Sequence, residues 1–599
     1  MSAENLKAQA VHRQMQNACA DIWLQLNQTD LKSLAGHVLS DGKQTFSSAL
    51  QYFTDHDHAK IISLRALTKA DKKYLASRGI STKHLVRNLI ETMGRNYRDP
   101  WAFQLDAVRR KAIYAFCPFS GKLALSTHSF LANINTIFYR FQSEQVYYIA
   151  VAGIGWGFEK KAVYIPEHEL VVTTGDPWSL EEADLIELKA RMTSEFTLCY
   201  EYLTDRHHKR INTVVCFGYW HFAHHLWNEL SGINRLFRSK LLDSVDKFLV
   251  MREPLGNFEE IFPEVPSNKI QRIHNTSDMF TEILLHRYFA IKVGQKFITR
   301  DLQNRVYKVA LGHSLPATRE KISAARKKHY PLLWVGIRTG NRSWADQATG
   351  LAKVIKSLHK EFPRLGVVFD GFSFPADRSG QSLGSQEYVN ITKQENAVVD
   401  EIIQKLKDDQ NVIETFNIIG SSLFDANIWA HAVDLYVSPF GTLQHKVGWL
   451  ANKPGIIHAN QSLLGNFYRN YVWTTVEDAY APKFVRRSSV VNVDNTRLKL
   501  ILYSSMYDRT EAGAGINETN KRLKLGQEFF NYQVEWSSLY FDILDMIKSP
   551  RSIITTEALT YKLIFKLRNS LRILTNIFAS PGLATRTHNG GRSNRPHER

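Results

Sequence analysis

Hydrophobic positions change their spacing along this chain, and each change marks a structural segment. Through residue 115 apolar residues recur at helical intervals, as in Ile22, Leu24 and Leu26 and again in Leu85, Leu89 and Ile90. This predicts a helical N-terminal region over 1–115. Over 116–189 the pattern turns β-branched and aromatic: Ile137 to Phe141, Val146 to Val151 and Ala162 to Ile165, punctuated by Gly153, Gly155 and Gly157. A small β-rich segment is expected there. Gly153-x-Gly155-x-Gly157 lacks the spacing of a dinucleotide-binding turn, and no helical pattern comes after it.

From about 190 short apolar runs alternate with helical patterns. Strands are expected at 213–216, 247–251 and 288–291, with an amphipathic helix at 221–237. A basic helix at 319–328 interrupts the series. A second series then begins, with strands at 332–337, 366–370, 412–419, 434–437 and 455–458 and helices at 351–362, 394–406, 423–432 and 444–450. Near-continuous apolar strands alternating with helices imply parallel sheets covered on both faces. The fold class is therefore α/β, with two Rossmann-like lobes over 190–320 and 321–480. A C-terminal helical region is expected over 481–579, carrying helices at 521–548 and 555–578. The Gly/Asn/His/Pro-rich basic tail, 580–599, cannot bury apolar surface and is expected to be disordered.

At 599 residues the chain exceeds a single core, which agrees with several domains. Met1 to Asn27 lacks the apolar core of a signal peptide, and no run is long enough to span a membrane. Cys19, Cys117, Cys199 and Cys216 form no C-x-x-C pair, which fits reduced thiols and a cytoplasmic location. The net charge of +18 has three readings: contact with anionic lipid or phosphorylated substrates, a nucleic-acid scaffold, or a solvated basic surface with a basic tail. No recognised nucleic-acid module is present, so no specific nucleic-acid partner is expected.

Four stretches carry candidate chemistry. Within 221–237 helical spacing separates an apolar stripe (Phe222, Leu226, Leu230, Ile233, Phe237) from His221, His224, His225 and Asn228. Imidazoles at the end of a strand suit proton transfer near neutral pH, and Glu229 stands four residues from His225. A zinc site is the rival reading, but Phe222 replaces the glutamate of H-E-x-x-H and no third ligand is evident; helix-capping histidines are the bland one. Gly336-Ile337-Arg338-Thr339-Gly340-Asn341-Arg342 follows the most apolar strand and offers two guanidinium forks for phosphate oxygens. At Ser438-Pro439-Phe440-Gly441-Thr442-Leu443-Gln444-His445 a strand meets a helix start, where free N–H groups favour an anion. Asp370 closes a buried strand and could position a ribose, or simply cap a turn. Glu395 and Asp400 read as a solvated helix face. No D-x-D metal–diphosphate motif occurs in the sheet region, so neither metal nor cofactor is expected.

Three of these pieces resemble glycosyltransferase family 61. His225-Leu-Trp-Asn-Glu229-Leu is similar to its first-lobe His-x-x-x-Glu segment. Ile337-Arg338-x-Gly340-x-Arg342 is similar to the turn opening its second lobe, and 434–457 to its donor loop and following strand, with Phe440 where the family's loop usually has His, and the histidine displaced to His445. The resemblance implies a GT-B fold and an inverting, metal-independent transfer from a nucleotide-sugar donor to a polysaccharide or glycoconjugate acceptor. On this reading His225, His224 or Glu229 is the catalytic base. Arg338, Arg342, Gly340, Asp370, Ser438, Gly441, Thr442 and His445 form the donor site. By analogy the reaction takes place in the cytoplasm, with peripheral contact at the inner face of an anionic membrane. The alternatives are a non-catalytic sugar- or nucleotide-binding protein of the same fold and a nucleic-acid-associated scaffold.

Overall fold

The computed structural model describes residues 18–31, 45–56, 59–91, 99–175, 180–205, 211–377, 385–407, 412–465, 475–493 and 529–549. The helix expected at 555–578 and the tail at 580–599 lie outside them. Met1–Leu544 forms one compact unit.

Three sheets organise this unit. The first contains β1 (Lys60–Ser63), and a separate hairpin of β2 (Ile113–Phe116) and β3 (Leu123–Ser126) comes next in sequence. The first sheet continues with β4 (His128–Asn133), β5 (Thr136–Gln142), β6 (Val146–Ala152), β7 (Glu159–Ile165) and β8 (Leu170–Thr173), in the order β1-β8-β7-β6-β5-β4. β5 and β6 are buried along almost their whole length, which is why β6 reads as an unbroken apolar and aromatic run and the centre of β5 as one interrupted only by Arg140. The segment expected to be a helical region, 1–115, also supplies the start of β2 and the whole of β1: β1 lies parallel to β8, Lys60 opposite Leu170. Its four residues, Lys-Ile-Ile-Ser, are too few and too exposed to stand out from a helical pattern.

The second sheet is wholly parallel: β9 (Thr213–Phe217), β10 (Lys247–Val250), β11 (Ile270–Arg272) and β12 (Phe289–Ile291), in the order β11-β10-β9-β12. One contiguous core joins it to the first sheet, running from Cys19 through Tyr148 and Leu249 to Val309. Each fully buried Leu, Ile, Val or Phe in it contributes roughly 1.5–3 kcal/mol of transfer free energy.

The third sheet, also parallel, comprises β13 (Leu332–Gly336), β14 (Gly366–Asp370), β15 (Glu414–Asn417), β16 (Leu435–Pro439), β17 (Gly455–His458) and β18 (Lys483–Phe484). Its order is β15-β14-β13-β16-β17-β18. That is the 3-2-1-4-5-6 order of a doubly wound nucleotide-binding fold, and the second sheet has the first four positions of the same pattern. The chain thus has two Rossmann-like lobes. In each the strand order reverses at one point, between β9 and β12 and between β13 and β16, and ligands of such sheets bind at the carboxyl ends there.

Two further departures concern the C-terminal part. Strands β19 (Val490–Asn492) and β20 (Tyr532–Val534) pair antiparallel. The described part of the expected helix at 521–548 is helical only over Trp536–Lys548. Tyr532 and Val534 are buried with Gln533 exposed between them, the period-two signature of a strand.

Candidate functional site

The loop after β9 and the helix it leads into form one wall. Gly218, with φ 121°, turns the chain out of β9. The helix covers 222–238, but its central part, His225–Leu230, is π-helical. An i→i+5 segment adds a residue to each turn and is frequent at functional sites. It undoes the separation of faces expected from 100° spacing. His225, Asn228 and Glu229 are as buried as Leu226 and Leu230, because the helix is enclosed on every side.

Glu229 is fully buried, and its carboxylate accepts from Gly218 N at 3.1 Å and Tyr219 N at 2.8 Å. His225 Nδ1 donates to the same carboxylate at 2.9 Å. Burial by itself would raise the Glu229 carboxyl, but His225, Lys292 and the Tyr219 N–H outweigh it and hold the group below its ordinary range. Glu229 and His225 thereby tie the helix to the loop that carries His221.

His224 is placed differently. It is half-buried, stacks on Trp227 at 6.1 Å and meets Tyr219 edge-on at 5.6 Å. Asn228 Nδ2 donates to Gln295 O at 3.0 Å, which turns Asn228 Oδ1 toward His224 Nδ1, 3.0 Å away. Because an amide oxygen only accepts, Nδ1 carries the proton and Nε2 holds the lone pair. Burial lowers the His224 pKa, the Asn228 bond and Glu229 opposing it, so the ring is neutral at pH 7.

The second lobe supplies the facing wall. After β16, Gly441 adopts φ 128°, and a Cβ there would lie 3.3 Å from Arg338 Nη1. The Arg338 turn and the Gly441 turn, which begin from adjacent strands, are therefore in contact at the reversal point. A helix covers 442–450, with a second π segment at Lys446–Leu450. Thr442 Oγ1 lies 3.1 Å from His221 Nε2, and Trp227 packs against Trp449 at 5.2 Å. His445 is buried and stacks on Trp449 at 3.5 Å. Burial, and then the neighbouring His221 and His224 rings, hold its pKa well below the ordinary value. His221 is lowered to about 3 by burial and His224. The contact between lobes thus brings together three imidazoles in their neutral form. No group of three or more His, Cys, Asp or Glu among the described residues is arranged to hold a metal ion.

Arg338 is half-buried and donates through Nε to Asn341 O at 2.8 Å. Burial and the Arg342 charge lower its guanidinium to about 10, so it stays cationic at neutral pH. Gly340 has φ 81° and open space where a Cβ would point; Arg342, at φ 55°, lies over the Phe529 ring at 5.1 Å. The loop is fastened from the C-terminal part of the chain. Arg342 N donates to Phe529 O, Tyr532 N to Ser343 O and Ala345 N to Tyr532 O.

The other expected residues lie beneath this surface. Ser438 is fully buried, and a Cβ on Gly336 would meet its Oγ at 2.7 Å. Asp370 is fully buried too; its Oδ1 accepts from Lys446 Nζ at 2.6 Å, and Lys446 also donates to Gly371 O and Ser373 Oγ. Burial raises Asp370 to about 6 against the pull of Lys446. Glu395 is not on a solvated face: it is 4 % exposed, accepts from Phe372 N at 2.7 Å, and is raised to about 7 by burial. Asp400 is exposed, as expected. Glu395 and Lys446 were hidden in the sequence by polar neighbours and by helix position. The one available signal for Lys446 is a charge preceding Val447, Trp449 and Leu450 in an otherwise apolar turn.

No family model and no curated protein sequence matches the chain. Among solved structures it is similar to a glycosyl transferase family 9 protein from Veillonella parvula, at 12% identity and TM-score 0.25, over 53% of this chain and 97% of that one. It is also similar to a UDP-GlcNAc 2-epimerase from Neisseria meningitidis bound to UDP-GlcNAc (13%, TM-score 0.21, 53% and 82% covered). A third likeness is to accessory secretory protein 1, 2 and 3 of Streptococcus pneumoniae (14%, TM-score 0.20, 78% and 73% covered). The two-lobe description rests on the strand order of this chain itself.

Proposed function

We propose that this chain transfers a sugar from a nucleotide-sugar donor to a glycan or glycoconjugate acceptor. The observation that carries the reading is the junction at which Thr442 Oγ1 meets His221 Nε2, with Arg338 Nη1 beside Gly441. A histidine-bearing helix of one lobe there faces the cationic turn of the other across their carboxyl-end loops. Arg338 and Arg342, with the N–H groups opening the helix at Thr442, would hold the nucleoside diphosphate and neutralise its charge as it leaves.

His224 is the base in this mechanism. It is half-buried, whereas His225 is 1 % exposed and committed to Glu229. Its Nε2 takes the proton of an acceptor hydroxyl. The hydroxyl oxygen bonds to the anomeric carbon while the bond from that carbon to the diphosphate oxygen breaks, on the opposite face for an inverting transfer. Asn228 keeps the tautomer that leaves Nε2 unprotonated. His225 and Glu229 position the helix, and Asp370, through Lys446, positions the π segment behind His445. Ser438 and Gly340 shape the strand ends. The finer likeness to glycosyltransferase family 61 rests on the motif residues alone.

No helix among the described residues is long and apolar enough to cross a membrane. Action at the cytosolic face of an anionic membrane would draw on the net charge of +18. The deciding experiment incubates the protein with a panel of labelled nucleotide sugars, with and without glycan acceptors, and resolves the products by mass spectrometry. Transfer or donor hydrolysis supports the reading. Binding without either identifies a non-catalytic sugar-nucleotide protein, and no binding at all overturns it.

A further inference from the structure

The turn that carries Arg338 and Arg342 is held from outside. Arg342 has φ 55°, a left-handed conformation that costs a residue with a side chain free energy and persists where the surroundings over-determine it. The two guanidiniums also oppose each other: burial, and then the Arg342 charge, lower the Arg338 pKa.

The segment 529–534 meets these costs from far along the chain. Arg342 N donates to Phe529 O at 3.3 Å, Tyr532 N to Ser343 O at 3.1 Å and Ala345 N to Tyr532 O at 2.8 Å. Ser343 N donates to Asn531 Oδ1 and Asp346 N to Gln533 Oε1, each at 3.1 Å. The other side of the segment is anchored in the lobe. Asn460 Nδ2 donates to Phe530 O at 3.0 Å, and Val493 N to Asn531 O at 2.8 Å beside the pairing of β19 with β20.

Two rings of this segment meet the cations. Arg342 Cζ lies 5.1 Å from the centroid of Phe529. Tyr532 is fully buried, its hydroxyl 2.8 Å from His458 Nδ1 and 3.3 Å from His458 O, at the end of β17. Burial raises the Tyr532 pKa while Arg338 and Arg342 pull against it, so the phenol is within electrostatic reach of both guanidiniums. Tyr532 thus joins the end of β17, by its hydroxyl, to the turn after β13, by its backbone.

We propose that Tyr532, with Phe529, is a positioning residue of a diphosphate site, holding Arg338 and Arg342 side by side before the ligand arrives. The nucleoside diphosphate as natural ligand rests on the transfer reading; the positioning of the two cations does not. Cations fixed in advance cost no reorganisation when a diphosphate binds between them.

The test measures binding of inorganic pyrophosphate and of UDP to the full chain by calorimetry. Tyr532→Phe keeps the ring and the backbone bonds and removes only the hydroxyl. It is expected to weaken pyrophosphate binding about threefold or more, the effect of one neutral hydrogen bond. Phe529→Leu, which leaves Tyr532 and His458 in contact, should weaken it about twofold or more and carries the test should Tyr532→Phe not fold. Positioning differs from general loosening in its coupling. In an Arg338→Ala, Arg342→Ala background, neither variant should weaken the remaining binding further, whereas a merely structural loss would add to it. Native affinity in both single variants, losses that add to the double arginine variant, or no binding of either probe by the native chain overturns the proposal. Nucleotide sugars that are neither hydrolysed nor transferred, while pyrophosphate affinity still responds to Tyr532→Phe, would overturn the transfer reading and leave the positioning in place.

Discussion

Thr442 Oγ1 and His221 Nε2, residues from different lobes, stand 3.1 Å apart where each begins a helix containing a π segment. The contact makes the lobe junction a polar seam set into aromatic packing, since Trp227 and Trp449 meet beside it. Replacing His221 and Thr442 by Ala singly and together should give a coupling of about 0.5–1.5 kcal/mol in urea unfolding, the net value of a neutral hydrogen bond. Additive losses would mean the contact contributes nothing to holding the lobes together.

The histidine wall separates a chemical role from a structural one. His224→Gln should leave donor affinity nearly unchanged and lower turnover by about 10²–10⁴, the share usual for a general base. His225→Phe should act through stability: it deprives the buried Glu229 carboxylate of its side-chain donor, at a cost of about 1–3 kcal/mol or more. Thermal melts and single-turnover rates on both variants distinguish the roles. Full turnover in His224→Gln would move the base elsewhere.

At the donor turn, Arg338→Ala should weaken nucleoside-diphosphate binding by about 1.5–3 kcal/mol, measured by calorimetry. Arg338→Lys should recover only part of it, because an ammonium lacks the planar fork that matches two phosphate oxygens. Unchanged affinity in Arg338→Ala would remove this residue from the site.

Glu395 makes stability depend on pH. Burial raises its folded pKa to about 7, above the ordinary carboxyl value, so the folded chain holds this proton more tightly than the unfolded one. Its contribution is fully present below the unfolded pKa and is lost as pH rises through about 7. Glu395→Gln keeps an oxygen for the Phe372 N–H and removes the titration. The variant should be more stable than the native chain at pH 8, by about 1–3 kcal/mol, with the difference shrinking toward pH 5. Melting curves across that range check it; a constant offset would show that Glu395 does not titrate there.

The central strands of both lobes were legible in the sequence. β9, β13, β14, β16 and β17 are buried along their whole length, so each appears as an apolar run, and the alternation with helices implies a parallel sheet. One edge of each lobe was not: β11 (Ile-Gln-Arg) and β18 (Lys-Phe) are partly exposed and too short to carry a period, whereas the opposite edges, β12 and β15, lie within strands expected at 288–291 and 412–419. The turns after β13 and β16 could be singled out because the carboxyl ends of such strands are where ligands gather, and Arg338, Gly441 and Thr442 occupy those turns.

What local pattern determined was thus the two strand–helix series and the residue types at their loops. Tertiary structure alone decided which of those residues face the junction. Helical spacing placed His225 and Asn228 with His224 on one polar face, but a π segment and enclosure on every side bury two of them and leave His224 half-buried. Asp370 and Lys446 find each other across 76 residues, Gly155 brings the turn of another sheet to His224, and 529–532 fasten the Arg338–Arg342 loop from far along the chain. The reason is physical. Hydrophobic periodicity records only whether a position is covered, whereas a site depends on which distant side chains do the covering.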